Sequence, residues 1–392
     1  MKIIQICAAY KPAFVYGGPT MSVAKLAEEL TKAGQDVTVL ATTANGKTEL
    51  EVPIGKETLV DGVKVYYFKR LTKDHTHFSP SLFWFLHQTL KSEKRKTKNE
   101  KIIVHIHAWW NLVSIFSALI AKLHGIKVIL SPRGMLTNYS LINRNSKSKE
   151  LIHSFLGKTL LKYCHIHATS DKEQRDVLQT CEVNGVTVIP NFVAFPKLLP
   201  VPNKGTSDLN NEIYQLIFLS RIEQKKGLEI LFEALSTIDI RWELSIAGSG
   251  EVSYVQSLQE LAERLNIGNQ IKWLGHVPNE EKFDLLSKQD LLVLTSYNEN
   301  FANVVIESLA MGTPILISDE VGLASYVQEN DLGWVSSLTT EKLAQTFKLS
   351  FSQKEQRAKI KEQAPKIIQH TFDQDTLLNN YISMYKKLIA HV

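Results

Sequence analysis

Cysteine is scarce in this chain, and long apolar runs are missing from it. Cys7, Cys164 and Cys181 are the three cysteines in 392 residues, and their spacing makes neither a disulfide framework nor a metal-binding pattern. No apolar run approaches the roughly 18 to 20 residues that span a bilayer. Met1–Cys7 is too short an apolar region for a signal peptide and is predicted to form a first β-strand. These absences favour a cytoplasmic protein.

Acidic residues are few in the first half of the chain. Residues 1–200 carry 27 Lys and Arg against 15 Asp and Glu, a balance of +12. The remaining residues carry 18 against 25, a balance of −7. A basic first half favours an anionic ligand or an anionic surface as its partner. Nucleic acid and an anionic membrane both fit that charge.

Short β-rich runs alternate with longer amphipathic stretches along most of the chain. Ile3–Ala8 and Asp36–Ala41 are typical of strands, and Pro19–Ala33 between them has helical periodicity. This alternation predicts an α/β protein whose parallel sheets are covered by helices on both faces.

The predicted elements form two groups separated by a segment rich in proline. Residues 195–212 contain three prolines and a polar tail, which predicts a linker between a first domain, 1–194, and a second, 213–375. A last helix is predicted over 376–392 and is expected to pack back on the first domain. Two doubly wound, Rossmann-like domains that face each other form a cleft, and ligands bind beyond the carboxyl ends of such strands. Functional residues are therefore expected on the loops that follow strands.

Two of these loops carry groups that suit a phosphorylated ligand. Gly17 and Gly18 precede a helix, where the backbone approaches a ligand closely and an anion is favoured, although a flexible turn explains them equally well. Arg221 and Lys226 lie between a strand and a helix, and a guanidinium with an ammonium suits a diphosphate. A solvated basic turn is the alternative. No G-x-G-x-x-G pattern is present, which counts against a dehydrogenase.

A pair of glutamates eight residues apart is the strongest candidate for chemistry. Glu299 follows a predicted strand, and Glu307 lies on a helix that begins near Ala302 and ends at Gly312. Two solvated glutamates are the simpler explanation. Glu307 fits it poorly because its neighbours are apolar, and a buried carboxylate needs a partner.

The spacing of the two glutamates resembles the E-x7-E signature of retaining glycosyltransferase family 4, which has the GT-B fold. Further features agree with that family in order and spacing, namely Gly17-Gly18, His105-Ile106-His107, Val188–Asn191, and Arg221 with Lys226-Gly227. The segment Ser131–Leu136 also resembles members that build surface polysaccharides. The resemblance covers nearly the whole chain and implies two Rossmann-like domains that face each other across a cleft.

The resemblance assigns the donor site mainly to the second domain. Arg221 and Lys226 match the pair that holds the diphosphate of a nucleotide sugar, and Glu307 matches the glutamate that bonds the ribose hydroxyls. Glu299 matches the residue that bonds hydroxyls of the donor sugar. The loop whose amides meet the sugar and phosphate corresponds to Phe301, Ala302 and Asn303. The family often has glycine where Ala302 stands, which leaves the identity of the donor sugar open.

The resemblance also assigns residues of the first domain, on the acceptor side. Gly18, next to Gly17, matches the glycine that packs beside the diphosphate, and His107 matches the histidine near the donor sugar. His107 is assigned to positioning rather than to proton abstraction, since the leaving phosphate can take the proton of the acceptor. The predicted catalytic residues are Glu299, His107, Arg221 and Lys226.

Other residues near these motifs have weaker assignments. Trp109 and Trp110 are candidates for stacking on a sugar or lipid acceptor, or for the core, and Arg133 is a candidate for contact with an acceptor phosphate. Asp373-Gln374-Asp375 resembles a cation-binding pair but fits a helix N-cap better. No metal site is expected, and no cofactor beyond the nucleotide sugar as co-substrate.

The segment 81–101 joins an aromatic and leucine cluster to a run of lysine and arginine residues. A helix of that composition can lie on an anionic membrane, so the protein is expected at the inner face of the cell membrane or free in the cytoplasm. A core helix with a solvated basic end is the alternative. Nucleic-acid binding is not expected, because no recognition element accompanies the basic charge.

The leading hypothesis is a retaining, metal-independent glycosyltransferase. It would transfer a sugar to a glycan or lipid-linked acceptor in surface polysaccharide biosynthesis. A UDP-sugar is favoured as the donor only because UDP is the most frequent nucleotide among such donors. A catalytically inactive partner subunit that binds nucleotide is one alternative. A phosphorylase or sugar-nucleotide epimerase of the same fold is another.

Overall fold

The structure is a computed structural model with two compact units. The described residues are 1–96, 101–137, 157–193, 195 and 213–390. The first unit is Met1–Phe192 with Gln374–Val392, and the second is Val193–Asp373. Most of the predicted linker, 195–212, lies outside the described residues.

The elements of both units follow one another in the α/β order. The strands are β1 (Lys2–Cys7), β2 (Asp36–Thr42), β3 (Ala44–Asn45), β4 (Thr48–Glu49), β5 (Glu57–Val60), β6 (Val63–Phe68), β7 (Ile102–His107), β8 (Val128–Ser131), β9 (His165–Ala168), β10 (Val186–Val188), β11 (Tyr214–Leu219), β12 (Trp242–Ala247), β13 (Ile271–Gly275), β14 (Leu291–Leu294), β15 (Ile315–Ser318) and β16 (Gly333–Ser336).

Helices cover the sheets formed by these strands. The α-helices within the described ranges are α1 (Gly18–Lys32), α2 (Pro80–Lys96), α3 (Leu112–Leu123), α4 (Lys158–Tyr163), α5 (Asp171–Thr180), α6 (Leu228–Ser236), α7 (Val252–Arg264), α8 (Asn279–Ser287), α9 (Asn303–Ala310), α10 (Ala324–Glu329), α11 (Thr340–Ser352), α12 (Lys354–Thr371) and α13 (Gln374–Ala390).

The sheet of the first unit has the order β10-β9-β8-β7-β1-β2-β6-β5. All of its pairings are parallel except the one between β5 and β6, which form an edge hairpin. The prediction of a doubly wound parallel sheet is therefore confirmed for this unit. The hairpin was not predicted, although Asp61-Gly62 between its strands is a typical two-residue turn with positive φ at both positions.

The two faces of this sheet differ in chemistry, because successive side chains of a strand point to opposite faces. Ile4 and Ile6 of β1 and Val104 and Ile106 of β7 belong to an apolar core with the buried residues of α2, α3 and α4. The intervening positions carry the buried polar residues Gln5, His105, His107, Ser131 and His167. Helix α13 lies on that polar side and belongs to the first unit by its contacts.

The sheet of the second unit is entirely parallel, with the order β13-β12-β11-β14-β15-β16. The strand order reverses between β11 and β14, which is the topological switch point where open α/β sheets bind ligands. Because β11, β14 and β15 are neighbours, the loops after them emerge at one edge of the sheet. The second predicted α/β unit is confirmed, although its strand β16 and its helix α10 were not among the predicted elements.

Helix α2 corresponds to the first part of the predicted membrane-contact segment 81–101. Leu82, Leu86 and Leu90 are buried against the core, whereas Trp84 is 66% exposed. The segment also includes residues 97–100, which lie outside the described residues. No helix in the described part of the chain has the length and apolar composition to cross a bilayer.

Candidate functional site

The loop after β11 places Lys226 at the switch point of the second sheet. Residues Gln224–Lys226 form a single 3-10 turn, and Gly227 ends it with a φ of 66°. A Cβ atom at Gly227 would lie 2.2 Å from the carbonyl oxygen of Thr295, which immediately follows β14. The hydroxyl of Thr295 donates a 2.8 Å hydrogen bond to the Gly227 carbonyl oxygen. Only glycine allows this close approach, which anchors the turn to the end of β14.

Lys226 and Glu299 form a buried ion pair at this edge of the sheet. The Nζ of Lys226 donates a hydrogen bond to Oε2 of Glu299, and the two side chains are 7% and 19% exposed. The backbone of Glu299 is fixed on both sides, since its N–H donates to Glu320 over 3.2 Å and its carbonyl oxygen accepts from Gly322 over 2.7 Å. The loops after β11, β14 and β15 thus hold the carboxylate in one place.

Positive charge dominates the electrostatics around Glu299. Burial acts to raise the pKa of Glu299, but the neighbouring Lys226, Lys225 and Arg221 outweigh it and hold the pKa below its usual value. Burial lowers the pKa of Lys225. Arg221 is more exposed and pairs with Glu223 across 2.7 Å. The structure therefore brings together Lys226 and Glu299, with Arg221 near enough to act on the charge of Glu299.

The predicted loop 301–303 leads directly into α9. Ala302 has a φ of 61°, an unusual conformation for a residue other than glycine. Phe301 is buried, and its ring meets the edge of Phe372 with centroids 6.1 Å apart. Asn303 is the first residue of α9. Glycine adopts such a φ without strain, which agrees with the frequent glycine at this position in the family that the sequence resembles.

Glu307 lies on α9 and is buried, as the sequence indicated. Its partner is Lys282 of α8, whose Nζ donates a 2.7 Å hydrogen bond to Oε1 of Glu307. The sequence analysis did not identify Lys282. Lys282 could not be identified from the sequence, because the amphipathic pattern of α8 places it among charged residues that are expected to be solvated.

The glycine loop of the first unit follows β1. Residues Phe14–Tyr16 form a 3-10 turn, and Gly17 has a φ of 64° before α1 begins at Gly18. A Cβ atom at Gly18 would meet no atom within 4 Å, so space is open beside this residue. Both glycines thus lie at a helix start after a strand, as the sequence predicted.

A chain of hydrogen bonds crosses the polar face of the first sheet in one direction. Nε2 of His167 lies 2.8 Å from the carbonyl oxygen of Ile189, so it must donate, and Nδ1 therefore accepts from Ser131 over 2.6 Å. The Ser131 oxygen then accepts from Nε2 of His105 over 2.7 Å, and Nδ1 of His105 accepts from Tyr385 over 2.8 Å. Both imidazoles are neutral, since burial lowers the pKa of His167 to about 3 and that of His105 well below its usual value.

His107 lies beside this chain, at the carboxyl end of β7. Its ring centroid is 4.2 Å from that of His105, and burial holds its pKa well below the usual value. Nδ1 of His107 is 3.4 Å from Nη2 of Arg133, while Nη1 of Arg133 donates a 3.0 Å hydrogen bond to Asn191. His107 is therefore a weak base, which fits a positioning role better than proton abstraction at neutral pH.

The two tryptophans after β7 have different surroundings. Trp109 is fully buried in the apolar core of the first unit, and this placement favours packing over the suggested contact with an acceptor. Trp110 is partly buried, and its indole N–H donates a 2.5 Å hydrogen bond to the carbonyl oxygen of Met135. The partly exposed ring of Trp110 leaves an acceptor contact open for this residue.

Glu173 is a buried carboxylate that sequence reasoning missed. Its oxygens accept from the N–H of Gly134 over 2.8 Å, and from the N–H and hydroxyl of Thr169 over 2.7 and 3.0 Å. Ser170 caps α5 by accepting from the N–H of Glu173. The Ser-x-x-Glu spacing was a signal for the start of this helix. Within the described ranges, no group of three or more His, Cys, Asp or Glu side chains is arranged to hold a metal ion.

The chain resembles known glycosyltransferases over nearly all of its length. The sequence model of Glycosyl transferases group 1 matches residues 203–367, and that of Glycosyltransferase Family 4 matches residues 16–195. An uncharacterized glycosyltransferase of Methanocaldococcus jannaschii is 25% identical, with 98% of each chain covered.

Solved structures agree with this fold. The sucrose-phosphate synthase of Thermosynechococcus elongatus matches all of both chains with a TM-score of 0.75 at 18% identity. The Anabaena protein HepE, in complex with UDP and glucose, matches 99% of this chain and 100% of its own with a TM-score of 0.71 at 18% identity. Both are similar to this chain in fold.

Proposed function

The chain belongs to the family 4 glycosyltransferases of the GT-B fold, which use nucleotide-sugar donors, and we propose that it transfers its sugar with retention and without a metal ion. We favour UDP as the nucleotide, because a protein of the same fold holds UDP and glucose. The proposed acceptor is a glycan or a lipid-linked sugar of a surface polysaccharide.

The observation that carries this proposal is the buried pair of Lys226 and Glu299 at the switch point of the second sheet. An ion pair is expensive to bury, so a buried pair that lies where ligands bind is a candidate for function. Lys226 provides a fixed positive charge for a diphosphate, and Arg221 adds a more exposed one. Glu299, ionised at neutral pH, accepts hydrogen bonds from sugar hydroxyls.

The proposed chemistry needs little from the protein beyond positioning and charge. The bond between the anomeric carbon and the phosphate oxygen breaks, and a bond to the acceptor oxygen forms on the same face of the sugar. The acceptor proton moves to the leaving diphosphate. Negative charge grows on that diphosphate, and Lys226 and Arg221 stabilise it as it develops. His107, whose lowered pKa makes it a weak base, is assigned to positioning and not to the removal of a proton.

The role proposed for Glu307 is compatible with its contact with Lys282. The carboxylate has two oxygens, and the hydrogen bond from Lys282 uses Oε1. Oε2 and the remaining lone pair of Oε1 are then available to accept from the two ribose hydroxyls of a nucleotide. Lys282 would hold the carboxylate in the correct orientation for the donor.

We also propose that α2 brings the enzyme to an anionic membrane. Trp84 is exposed on the face opposite the buried leucines, and the exposed residues Lys91, Lys94 and Arg95 follow it. The indole ring of Trp84 is amphipathic, and together with the nearby cations it is typical of side chains that lie in the headgroup region of an anionic bilayer. This contact supports a lipid-linked acceptor over a soluble glycan.

The first experiment is a donor panel with the purified protein. UDP-, GDP- and ADP-sugars are incubated with and without membrane extract, and release of nucleoside diphosphate is measured for wild type, Glu299→Ala and Lys226→Ala. We expect release from one donor, reduced about 100- to 1,000-fold in both variants. Lys272→Ala, which breaks the more exposed pair with Glu243 in the same unit, is the matched control and should retain activity.

The outcomes separate the proposed enzyme from its alternatives. Nucleotide binding without turnover in any condition would favour an inactive partner subunit. Turnover that requires inorganic phosphate as acceptor would favour a phosphorylase. Analysis of the anomeric configuration of the product tests retention, and unchanged turnover in EDTA tests metal independence.

A further inference from the structure

The loop after β8 holds Arg133 in a fixed orientation. Arg133 has a φ of 53° and Gly134 a φ of 74°, so two consecutive residues adopt the left-handed conformation. The N–H of Gly134 is held by Glu173, which also binds Thr169 at the end of β9. A left-handed arginine is uncommon, and its conformation here is maintained by a buried carboxylate that bonds the backbone instead of the guanidinium.

Arg133 uses only part of its hydrogen-bonding capacity. A guanidinium carries five N–H groups. One donates to Asn191 and one to His107, whereas Nε is buried and has no partner. Three donors are thus left without an acceptor among the described residues. No carboxylate in that part of the chain lies within ion-pair distance of this guanidinium.

His107 adds a further donor at the same place. Arg133 can only donate, so Nδ1 of His107 accepts and the proton of the neutral ring is on Nε2. Nε2 is buried and has no partner, and the whole residue is 2% exposed. Unsatisfied donors therefore occur on both side chains of this contact, and the partner that both lack is a hydrogen-bond acceptor.

The charge of this site is also unbalanced. Its hydrogen-bonded neighbours, Asn191 and His107, are neutral. Glu173 is the nearby carboxylate, and its oxygens are occupied by Gly134 and Thr169. A partly buried guanidinium without a direct counter-ion is costly, and an anionic ligand would remove that cost.

We propose that Arg133 and His107 form the binding site for a phosphate group of the acceptor. Guanidinium groups bind phosphate oxygens in pairs, and the additional imidazole N–H suits a ligand with more than two acceptor oxygens. This inference rests on the proposed transferase function and narrows its acceptor to a phosphorylated one. The phosphate belongs either to a soluble sugar phosphate or to a lipid phosphate.

Binding of inorganic phosphate to the full chain, followed by 31P NMR, tests the site. The background variant carries Arg221→Gln, Lys226→Gln and Glu299→Gln, which removes the two cations of the proposed donor site without leaving the carboxylate of Glu299 unpaired. In that background we expect Arg133→Gln to weaken phosphate binding at least 10-fold. Arg175→Gln, the same change of charge at an exposed position on α5, should leave the affinity within about 2-fold and serves as the control. Equal affinities of these two variants would overturn the proposal.

A conservative variant covers the case in which Arg133→Gln does not fold. Arg133→Lys keeps the charge but loses the planar arrangement of donors, and we expect binding at least 3-fold weaker than in Arg175→Lys. Thermal unfolding of each variant checks folding. Unchanged binding in folded Arg133→Lys and Arg133→Gln contradicts the site.

Two further arms identify the source of the phosphate. One compares glucose 6-phosphate with glucose, and the other compares vesicles of phosphatidic acid and phosphatidylcholine with vesicles of phosphatidylcholine alone. If the substitution of Arg133 weakens binding of glucose 6-phosphate more than the substitution of Arg175 does, the phosphate is that of a soluble sugar phosphate. If it weakens binding of the vesicles that contain phosphatidic acid in the same way, the phosphate is that of a lipid. Dependence in neither arm overturns the acceptor assignment. UDP binding by wild type and Arg133→Gln is measured separately, and its absence in wild type would contradict the proposed function instead.

Discussion

Lys282 of α8 donates a 2.7 Å hydrogen bond to Glu307 of α9, and this contact joins the helices that precede and follow β14 in the sequence. The side chains are 15% and 11% exposed, so the pair is shielded from solvent. A carboxylate proposed to bind a ribose thus has a cation as its partner before any nucleotide binds. The same contact also stabilises the packing of α8 on α9.

Replacing Lys282 with methionine tests this arrangement. Lys282→Met leaves Glu307 buried without its cation, and we expect the free energy of unfolding to fall by about 1 to 3 kcal/mol. Saturating UDP should restore part of the loss, because ribose hydroxyls would then donate to Glu307. Urea unfolding with and without UDP measures both effects. Lys288→Met, which removes an exposed pair with Asp284, should change neither quantity.

The pair of Lys226 and Glu299 should be strongly coupled in stability. Breaking one partner of a buried ion pair leaves an uncompensated charge, which costs about 3 to 5 kcal/mol. We expect Lys226→Met and Glu299→Gln each to lower the free energy of unfolding. The double variant should lose less than the sum of the two, and urea unfolding of all four proteins measures this coupling. A cycle on the solvated pair Lys272 and Glu243 should give a coupling of about 1 kcal/mol or less. Additive effects at Lys226 and Glu299 would contradict a buried pair.

Gly227 should be far less tolerant of a side chain than another glycine of similar conformation. Gly227→Ala places a Cβ atom 2.2 Å from the Thr295 carbonyl oxygen, so the turn that carries Lys226 must move. Gly34 has a φ of 74° but open space around it, and Gly34→Ala should cost only about 1 kcal/mol for the strained backbone. Thermal unfolding and nucleotide affinity are measured for both. Equal losses in the two variants would contradict the close approach.

The buried histidines predict how stability depends on pH. Burial lowers the pKa of His105, His107 and His167, whereas an unfolded histidine takes up a proton near pH ~6.5. The unfolded chain therefore binds more protons below that pH, and the free energy of unfolding falls as the pH decreases further. The slope is about 1.4 kcal/mol per pH unit for each histidine.

Urea unfolding between pH 7.5 and 5.0 measures this slope. His167→Gln should reduce it by about 1.4 kcal/mol per pH unit, since it removes one of the buried histidines whose pKa is lowered. His276→Gln, a change at an exposed position of the second unit, is the control and should leave the slope unchanged. A stability that does not vary over this range would show that the three rings are not buried in the neutral form.

Contact of α2 with a membrane should depend on its exposed tryptophan and its cations together. We expect co-sedimentation with vesicles that contain anionic lipid, and weak binding to neutral vesicles. Trp84→Ala should weaken binding through lost insertion, and Lys91→Gln with Lys94→Gln should weaken it by about 1 kcal/mol per charge. Lys25→Gln on α1 changes the charge of the same unit away from α2 and is the control. Equal binding by all of these proteins would leave α2 as an ordinary surface helix.

Local patterns predicted the fold and the residues that follow strands. The alternation of strands and helices was sufficient for two parallel sheets, and the apolar neighbours of Glu307 were sufficient to predict its burial. Glu299 also follows a predicted strand in the sequence. The loops that follow the strands of a parallel sheet meet at one edge, so this position predicted that Glu299 lies where ligands bind.

Contacts between distant segments could not be predicted in the same way. Lys282 and Glu173 are unremarkable charges within amphipathic helices, and only the packing of those helices shows which partner each one meets. Trp109 and Trp110 are adjacent and identical in type, yet one is in the core and the other is partly exposed. That difference depends on the path of the backbone after β7, where Ala108 has a φ of 72°.

The hydroxyl of Tyr385 completes the hydrogen bonds of His105, although 280 residues separate the two in sequence. During synthesis, β7, β8 and β9 leave the ribosome long before α13 does. The polar face of the first sheet therefore remains uncovered while the entire second unit is synthesised. Proteolysis or aggregation of nascent chains should therefore be greatest in this interval, and it should end only when the last helix is released. Synthesis of the first unit therefore begins before that of the second unit and is completed after it.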